Sequence, residues 1–294
     1  MRRFPLRKEG KGMPRYKYYD QLLIANRSMK GDFKLIAEKL TVNKSAAFYT
    51  MLFILLAATS VAYAMHIEDG ILEPKWWIAW YIVAAIFIYP GLREVKRRVQ
   101  ENLSYKPFLA MVGVAVFVIS AMHFPVPVTG SCSHPCGTPL AAIIAGPFAT
   151  VVISVIVLFF QAIFFAHGGI TTIGANTFSM GICGTFAGYF SWKLLRSLKS
   201  PLWLAAGAAG LLGDLVTYLA AAFQLALNVQ GGHLSLVQQW MVFFLGYGPT
   251  QLPLAILEAI FTAAVLQAMV SRRPDLIPGF SQSDKRVSPI AKNR

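Results

Sequence analysis

Five histidines are spread along the 294-residue chain, at positions 66, 123, 134, 167 and 233. His66 stands out through what precedes it. Residues 47–64 form an apolar run ending in Ala62-Tyr63-Ala64, behind a long basic stretch, and that order is the mark of a cleavable secretory leader. Cleavage after Ala64 makes Met65 the first residue and His66 the second. A free α-amine, the next amide nitrogen and the imidazole of residue two can chelate one metal. Amine and amide close a five-membered ring; amide and Nδ1 close a six-membered one. Three nitrogens then share a plane and a fourth completes a square, a geometry that suits Ni²⁺ or Cu²⁺, and Co²⁺ also takes nitrogen donors. His134, in the Gly- and Pro-containing segment 129–139, is the leading candidate for the fourth nitrogen. The amine must lose its proton, and its ordinary pKa is about 7.7–8.0, so metal capture should release protons.

Other chemistry is available. Cys132 and Cys136 flank His134 as soft ligands, as a disulfide pair outside the cell, or simply as small residues. Cys183, in an apolar stretch, reads as packing. Asp214 and Glu258 also lie in apolar stretches, where an acid is either functional or a hydrogen-bonded clamp between helices, with Thr217, Tyr218 or Gln251 as partners. Ser179 with His167 offers a membrane hydrolase, although no nucleophile elbow or Asp partner accompanies them. No HExxH zinc motif and no phosphate-binding GxxxxGK[ST] loop occurs, so ATP hydrolysis by this chain is not expected.

The elements that must position these residues follow from composition. Hydrophobic residues make up 56% and charged residues 14%, with mean hydropathy +0.54. A soluble domain carries about a quarter charged residues. The chain is therefore expected to be an all-α integral membrane protein, which excludes disorder and argues against a soluble enzyme. Net charge is +14, of which +8 lies in residues 1–44 and +6 in residues 65–294, and this placement argues against a nucleic-acid surface. Met29 is an alternative start to Met1 and Met13, since Met29-Lys30 opens a leader of ordinary length.

Apolar stretches follow at 76–92, 107–124, 138–166, 175–195, 201–227 and 239–270. All but one of the basic residues after Met65 fall in three groups: Arg93 to Lys106, Lys193 to Lys199, and Arg272 to Arg294. The positive-inside rule places all three in the cytoplasm. With Met65 outside, 138–166 must then cross an even number of times, and Gly146-Pro147 supplies the break. Its first arm, about 138–146, is too short to span alone and must be tilted, re-entrant or buried in protein. The expected order is a basic leader and signal peptide at 1–64, a domain of about seven helical segments at 65–271, and a basic cytoplasmic tail at 272–294. All five histidines fall at or near the outer face. Small residues at helical spacing, Gly174, Gly181, Gly184, Gly188, Ala205, Ala209 and Gly213, suit close packing within the chain or against a partner.

The segment Met65-His-Ile-Glu-Asp-Gly-Ile-Leu-Glu-Pro resembles the mature start of the CbiM/NikM family, the substrate-binding (S) components of energy-coupling-factor transporters for cobalt and nickel. The similarity continues through His123-Phe-Pro-Val-Pro, Gly130-Ser-Cys-Ser-His-Pro-Cys-Gly-Thr, Gly146-Pro147, the run from Phe160 through His167-Gly-Gly to Met180, Gly213-Asp-Leu-Val-Thr-Tyr, and Leu252-Pro-Leu-Ala-Ile-Leu-Glu258. It spans essentially all of 65–270. The resemblance implies seven helices with the processed N-terminus tucked into the core. It implies Co²⁺ or Ni²⁺ as the transported substrate, held by the amine and amide nitrogens of Met65 and His66, the His66 ring and the His134 ring. It implies a coupling (T) membrane subunit, ATP-binding cassette (ABC) ATPases and a CbiN-type small subunit as partners, residence in the cell membrane, and cobalt supply to cobalamin synthesis. The chain departs from the family pattern in its longer leader, in Cys132 and Cys136 where small or hydroxyl residues are usual, and in Gln251 where His often precedes Leu-Pro. A partner-independent hydrolase using Ser179 and His167, or a structural membrane scaffold, are the competing readings.

Overall fold

The computed structural model describes residues 66–122, 124–126, 131–229 and 234–278, and the side chains of 124–126, 131 and 132 are outside that description. The leader and its cleavage point, Met65, His123, His233, the Cys132 thiol and the tail from residue 279 therefore lie outside the described residues.

Pro74 opens α1 (Pro74–Glu101), at a helix start where its missing N–H costs nothing. The helix runs on past the apolar stretch to carry Arg93, Lys96, Arg97 and Arg98. Helix α2 (Tyr105–Ser120) follows. Its end meets Pro125 and Pro127, which cannot continue a helix. The chain instead forms a two-strand antiparallel ribbon, β1 (Phe124–Val126) against β2 (Ser131–Ser133), with Phe124 opposite Ser133. This ribbon is the one departure, among the described residues, from an all-helical class.

The break expected at Gly146-Pro147 is present. Helix α3 (Thr138–Ala145) stops where Gly146 takes φ 92 and ψ 153, a conformation essentially reserved for glycine, and Pro147 starts α4 (Pro147–Phe165). All eight residues of α3 are buried. A short helix with no water around it must still satisfy its terminal N–H and C=O groups. Glu258 receives the Cys136 and Gly137 N–H groups, each at 2.7 Å. At the other end the Ala145 carbonyl accepts from Arg98 at 2.9 Å and from Tyr105 at 3.3 Å. The clamp reading of Glu258 is thus realised, with main-chain groups at the start of α3 and the Asp214 side chain as its partners in place of Thr217, Tyr218 or Gln251.

A continuous helical run comprises α5 (Ile173–Asn176), a π-helical segment (Thr177–Gly184) and α6 (Thr185–Ser197). Helices α7 (Leu202–Asn228) and α8 (Leu236–Arg272) complete the set, the latter opened by a reciprocal Ser235–Gln238 capping box. Beyond Arg272 the start of the tail turns back through Pro274–Leu276 and buries Ile277 in the core.

Four of these helices, α1, α4, α7 and α8, are long and apolar enough to cross a membrane, and α2 is a shorter apolar helix. Their outward faces carry exposed apolar side chains at helical spacing, Ile78, Ile82 and Ile86 on α1 and Leu252, Ile256 and Ile260 on α8. Water would not tolerate so much apolar surface, and lipid does. Between helices in lipid the hydrophobic effect is weak, and close contact supplies the adhesion. The small residues provide it within the chain. A Cβ on Gly213 would strike the Pro139 ring and come within 2.9 Å of the Gly184 carbonyl oxygen, and one on Gly188 would lie 2.7 Å from Pro139. Gly213→Ala is expected to force α7 away from α3 and to cost about 1–3 kcal/mol, the usual range for overpacking. Thermal unfolding in detergent measures it as a lower melting temperature.

Candidate metal centre

His66, His134 and His167 arrive from three different places and converge. Their rings are buried, with centroids 4.8 Å apart for His66 and His134, 4.6 Å for His66 and His167, and 5.2 Å for His134 and His167. One nitrogen from each can be chosen so that all lie within 4.8 Å of one another.

Each ring is held for a reason. His66 precedes Ile67, whose backbone is clamped on both sides by one side chain. The Ile67 N–H donates to Asn176 Oδ1 at 2.9 Å, and Asn176 Nδ2 donates to the Ile67 carbonyl at 3.1 Å. Thr172 Oγ1 donates to the same carbonyl. Asp69 then accepts from the Ile170 and Thr171 N–H groups at 3.2 and 2.9 Å. Asn228 repeats the amide clamp, donating to the Ile71 carbonyl at 2.8 Å and accepting from the Glu73 N–H at 2.9 Å. The segment from His66 to Glu73 is therefore tied into the bundle at three points before α1 begins.

His167 sits just past the end of α4. Ala166 adopts φ 48, ψ 38, a left-handed conformation costing an L-residue roughly 1–2 kcal/mol. The turn aims the chain inward, and the His167 N–H returns to the Gln161 carbonyl at 3.2 Å. Gly168 follows at φ 75, where a Cβ would lie 3.0 Å from His66 Cβ and 3.1 Å from Asn176 Nδ2. The His-Gly-Gly sequence is what the crossing of this turn with the His66 segment requires.

Hydrogen bonds assign the proton on two rings. The Ser120 hydroxyl donates to the Val116 carbonyl at 2.7 Å, so its oxygen accepts from Gln161 Nε2 at 2.8 Å. Gln161 Oε1 is then turned to His66 Nε2 at 3.1 Å and must accept from it. The proton sits on Nε2, and the His66 lone pair on Nδ1, the nitrogen that an N-terminal chelate uses. His134 Nδ1 lies 2.9 Å from the Pro135 carbonyl and can only donate to it, which puts the His134 lone pair on Nε2. Such orientation by outer partners is the usual way proteins prepare histidine for a metal. Tyr218 fixes the His134 backbone, receiving its N–H at 3.2 Å and donating to its carbonyl at 3.3 Å. Gln161→Leu should keep the fold and weaken Co²⁺ binding about 10–100-fold, the range for losing an outer partner of a ligand; calorimetry with the purified protein reads it.

The structure thus brings together His66 and His134, and Met65 lies outside the described residues. It adds His167, which sequence reasoning had set beside Ser179. The Ser179 hydroxyl instead donates to its own helix, to the Ala175 and Asn176 carbonyls at 3.4 and 3.2 Å, and His167 is not among its hydrogen-bond partners. Gln161 and Asn176 were not singled out from sequence. Their signal was an uncharged amide inside a strongly apolar run, where an unpaired amide is costly. Cys136 is buried beside Asp214, its thiol donating to Asp214 Oδ1 at 3.3 Å, and Gln251 Nε2 donates to Asp214 Oδ2. Of the partners expected for Asp214, Gln251 is the one found.

A helical bundle of membrane-crossing length, built around a buried histidine cluster beside a tethered segment ahead of α1, defines a multi-pass membrane protein with a polar centre. Residues 66–276 match the family CbiM, described as the cobalt uptake substrate-specific transmembrane region, and the chain belongs to that family. It is 44% identical over 213 residues to the cobalt transport protein CbiM of Sorangium cellulosum, covering 72% of this chain and 94% of that one. It is 42% identical over 237 residues to the cobalt transport protein CbiM of Chlorobium limicola, covering 80% and 92%. Among solved structures, a truncated transition metal transporter superposes with a TM-score of 0.60 at 26% identity, over 70% of this chain and 98% of that one.

Proposed function

We propose that this chain is the ion-capturing membrane subunit of an energy-coupling-factor importer for Co²⁺ or Ni²⁺. The observation that carries the reading is the burial of His66, His134 and His167 with their nitrogens within 4.8 Å of one another. Relatives named as cobalt transport proteins and a neighbour named as a transition metal transporter support it.

In this reading the leader is removed after Ala64, and Met65 contributes its amine. The His66 amide and Nδ1, with His134 Nε2, complete a plane of four nitrogens, and His167 flanks that plane. Seven helical segments cross or enter the cell membrane, with Met65 outside and the C-terminal tail in the cytoplasm. The Asn176, Thr172 and Asp69 bonds hold the N-terminal segment in place and exclude water from the captured ion. The chain itself does no chemistry. A T-component membrane protein and ABC ATPases supply the energy that turns the loaded subunit inward, a CbiN-type small subunit joins them, and imported cobalt feeds cobalamin synthesis.

The test combines N-terminal sequencing of protein purified from membranes with Co²⁺ calorimetry. Met65 as the first residue and one tightly bound equivalent are expected. A chain that retains residues before Met65, or binds no Co²⁺, defeats the proposal.

A further inference from the structure

Behind the histidines the structure buries a second set of donors with a different chemistry. Cys136 follows His134 by two residues, Asp214 projects from α7 and Glu258 from α8. The Cys136 sulfur and one oxygen from each carboxylate lie within 4.8 Å of one another, all three residues buried. Among the described residues, no Lys or Arg pairs with either acid. Asp214 and Glu258 also hydrogen-bond to each other and so share a proton, which a bound cation displaces. With that proton gone, each carboxylate oxygen, which has two lone pairs, keeps one beyond its contact to Cys136, Gly137 or Gln251. A separate feature adjoins Asp214. Gln251 is 2% exposed and gives its Nε2 to Asp214, while its Oε1 is buried with no hydrogen-bond partner among the described residues. A buried acceptor without a donor is costly unless something positive comes to it.

We propose that Cys136, Asp214 and Glu258, with the Gln251 amide oxygen, form an inner divalent-cation site, a second station for the ion captured at the histidines. The inference rests on the capture reading above. Asp214 and Glu258 stand well inside α7 and α8, at a depth where carboxylates are expensive. Hydrogen bonds from the α3 start, Cys136 and Gln251 meet part of that cost, and a divalent cation meets the charge itself. The cluster lies at the start of α3, the short buried helix whose first N–H groups Glu258 accepts. A rigid link joins the two sites: Tyr218, one turn along α7 from Asp214, holds the His134 backbone from both sides. The change of donors has a direction. The inner site lacks the amine–amide–imidazole chelate, and before it holds the ion the Cys136 thiol and the carboxyl pair must release their protons to solvent, so the inner site is the weaker and fills second.

The test is a Co²⁺ titration of the purified full-length chain in detergent, followed by equilibrium dialysis and absorption. Sulfur bound to Co²⁺ gives a thiolate-to-cobalt charge-transfer band in the near ultraviolet, and an all-nitrogen site gives none. Two equivalents are expected, the second bound about 10-fold more weakly or worse, with the band rising only as the second fills. Cys136→Ser should remove the band, Asp214→Asn should remove the second equivalent, and both should leave the first unchanged. His134→Ala should remove the first. The wild-type titration decides without any variant having to fold: one equivalent with no band overturns the inner site and leaves the capture reading standing. A band lost in Cys132→Ser or Cys183→Ser, and kept in Cys136→Ser, also overturns it. A wild type that binds no Co²⁺ overturns both.

Discussion

Retaining the leader should abolish ion capture. Replacing Ala62 and Ala64 by phenylalanine removes the small residues that cleavage needs, so the chain keeps all residues ahead of Met65. The Met65 nitrogen then becomes an amide inside the chain. An amide nitrogen binds a metal only after losing its proton, and without the terminal amine to anchor the ion neither this amide nor that of His66 is readily deprotonated, so the five-membered ring does not form. His66 Nδ1 and His134 Nε2 remain, but two imidazoles without the amine and its neighbouring amide lose the chelate. Co²⁺ affinity is expected to fall by more than about 100-fold, beyond what the loss of an outer partner costs. Calorimetry measures the affinity, mass spectrometry verifies that the leader is retained, and circular dichroism verifies the helices. Undiminished affinity in the uncleaved protein would remove the amine from the site and, with it, the reason for placing His66 at position two.

The second large effect belongs to His134. Its ring closes the square in the proposed chelate, while its backbone is held independently by Tyr218. His134→Ala should therefore remove a ligand while the loop backbone stays held, lowering Co²⁺ affinity by about 100-fold or more, with the helix content retained and the apo melting temperature lowered by the cavity in the buried site. The cavity left behind is the size of an imidazole ring, so added imidazole should restore part of the binding. A merely structural histidine would show no such rescue. His167→Ala should cost less, because His167 flanks the plane and does not close it.

Much of this architecture is legible in the residues. Helices occupy the positions of the apolar stretches, and the Gly146-Pro147 break falls where charge bookkeeping demanded one, because a proline after a glycine at φ 92 cannot be carried through a helix. His134 was paired with His66 from their shared outer side and the geometry of a residue-two chelate. His167 was not added to them. Read alone, His167-Gly-Gly beside Ser179 suggests a base and a nucleophile. What the motif does depends on Ala166 turning left-handed at the end of α4 and on Gly168 passing under the His66 Cβ, and neither follows from spacing. An acid at position 258 suggests a partner side chain, and Asp214 is one, but nothing in the local sequence shows that Glu258 also caps the main chain of a helix more than a hundred residues away.

The division has a physical cause. Helix positions, and the expectations of a leader and of an orientation in the membrane, depend on properties that neighbouring residues share: apolar runs long enough for lipid, local hydrogen bonding, and the placement of Lys and Arg. Those properties are written along the chain. The centre depends on contacts between residues far apart in it: Asn176 clamping Ile67, Gln161 orienting His66 through Ser120, and Gly213 letting α7 lie against Pro139. Such contacts exist only after the helices pack. Packing in lipid is decided by which small residues meet and which buried amides find partners, so the convergence of three imidazoles belongs to the tertiary structure alone.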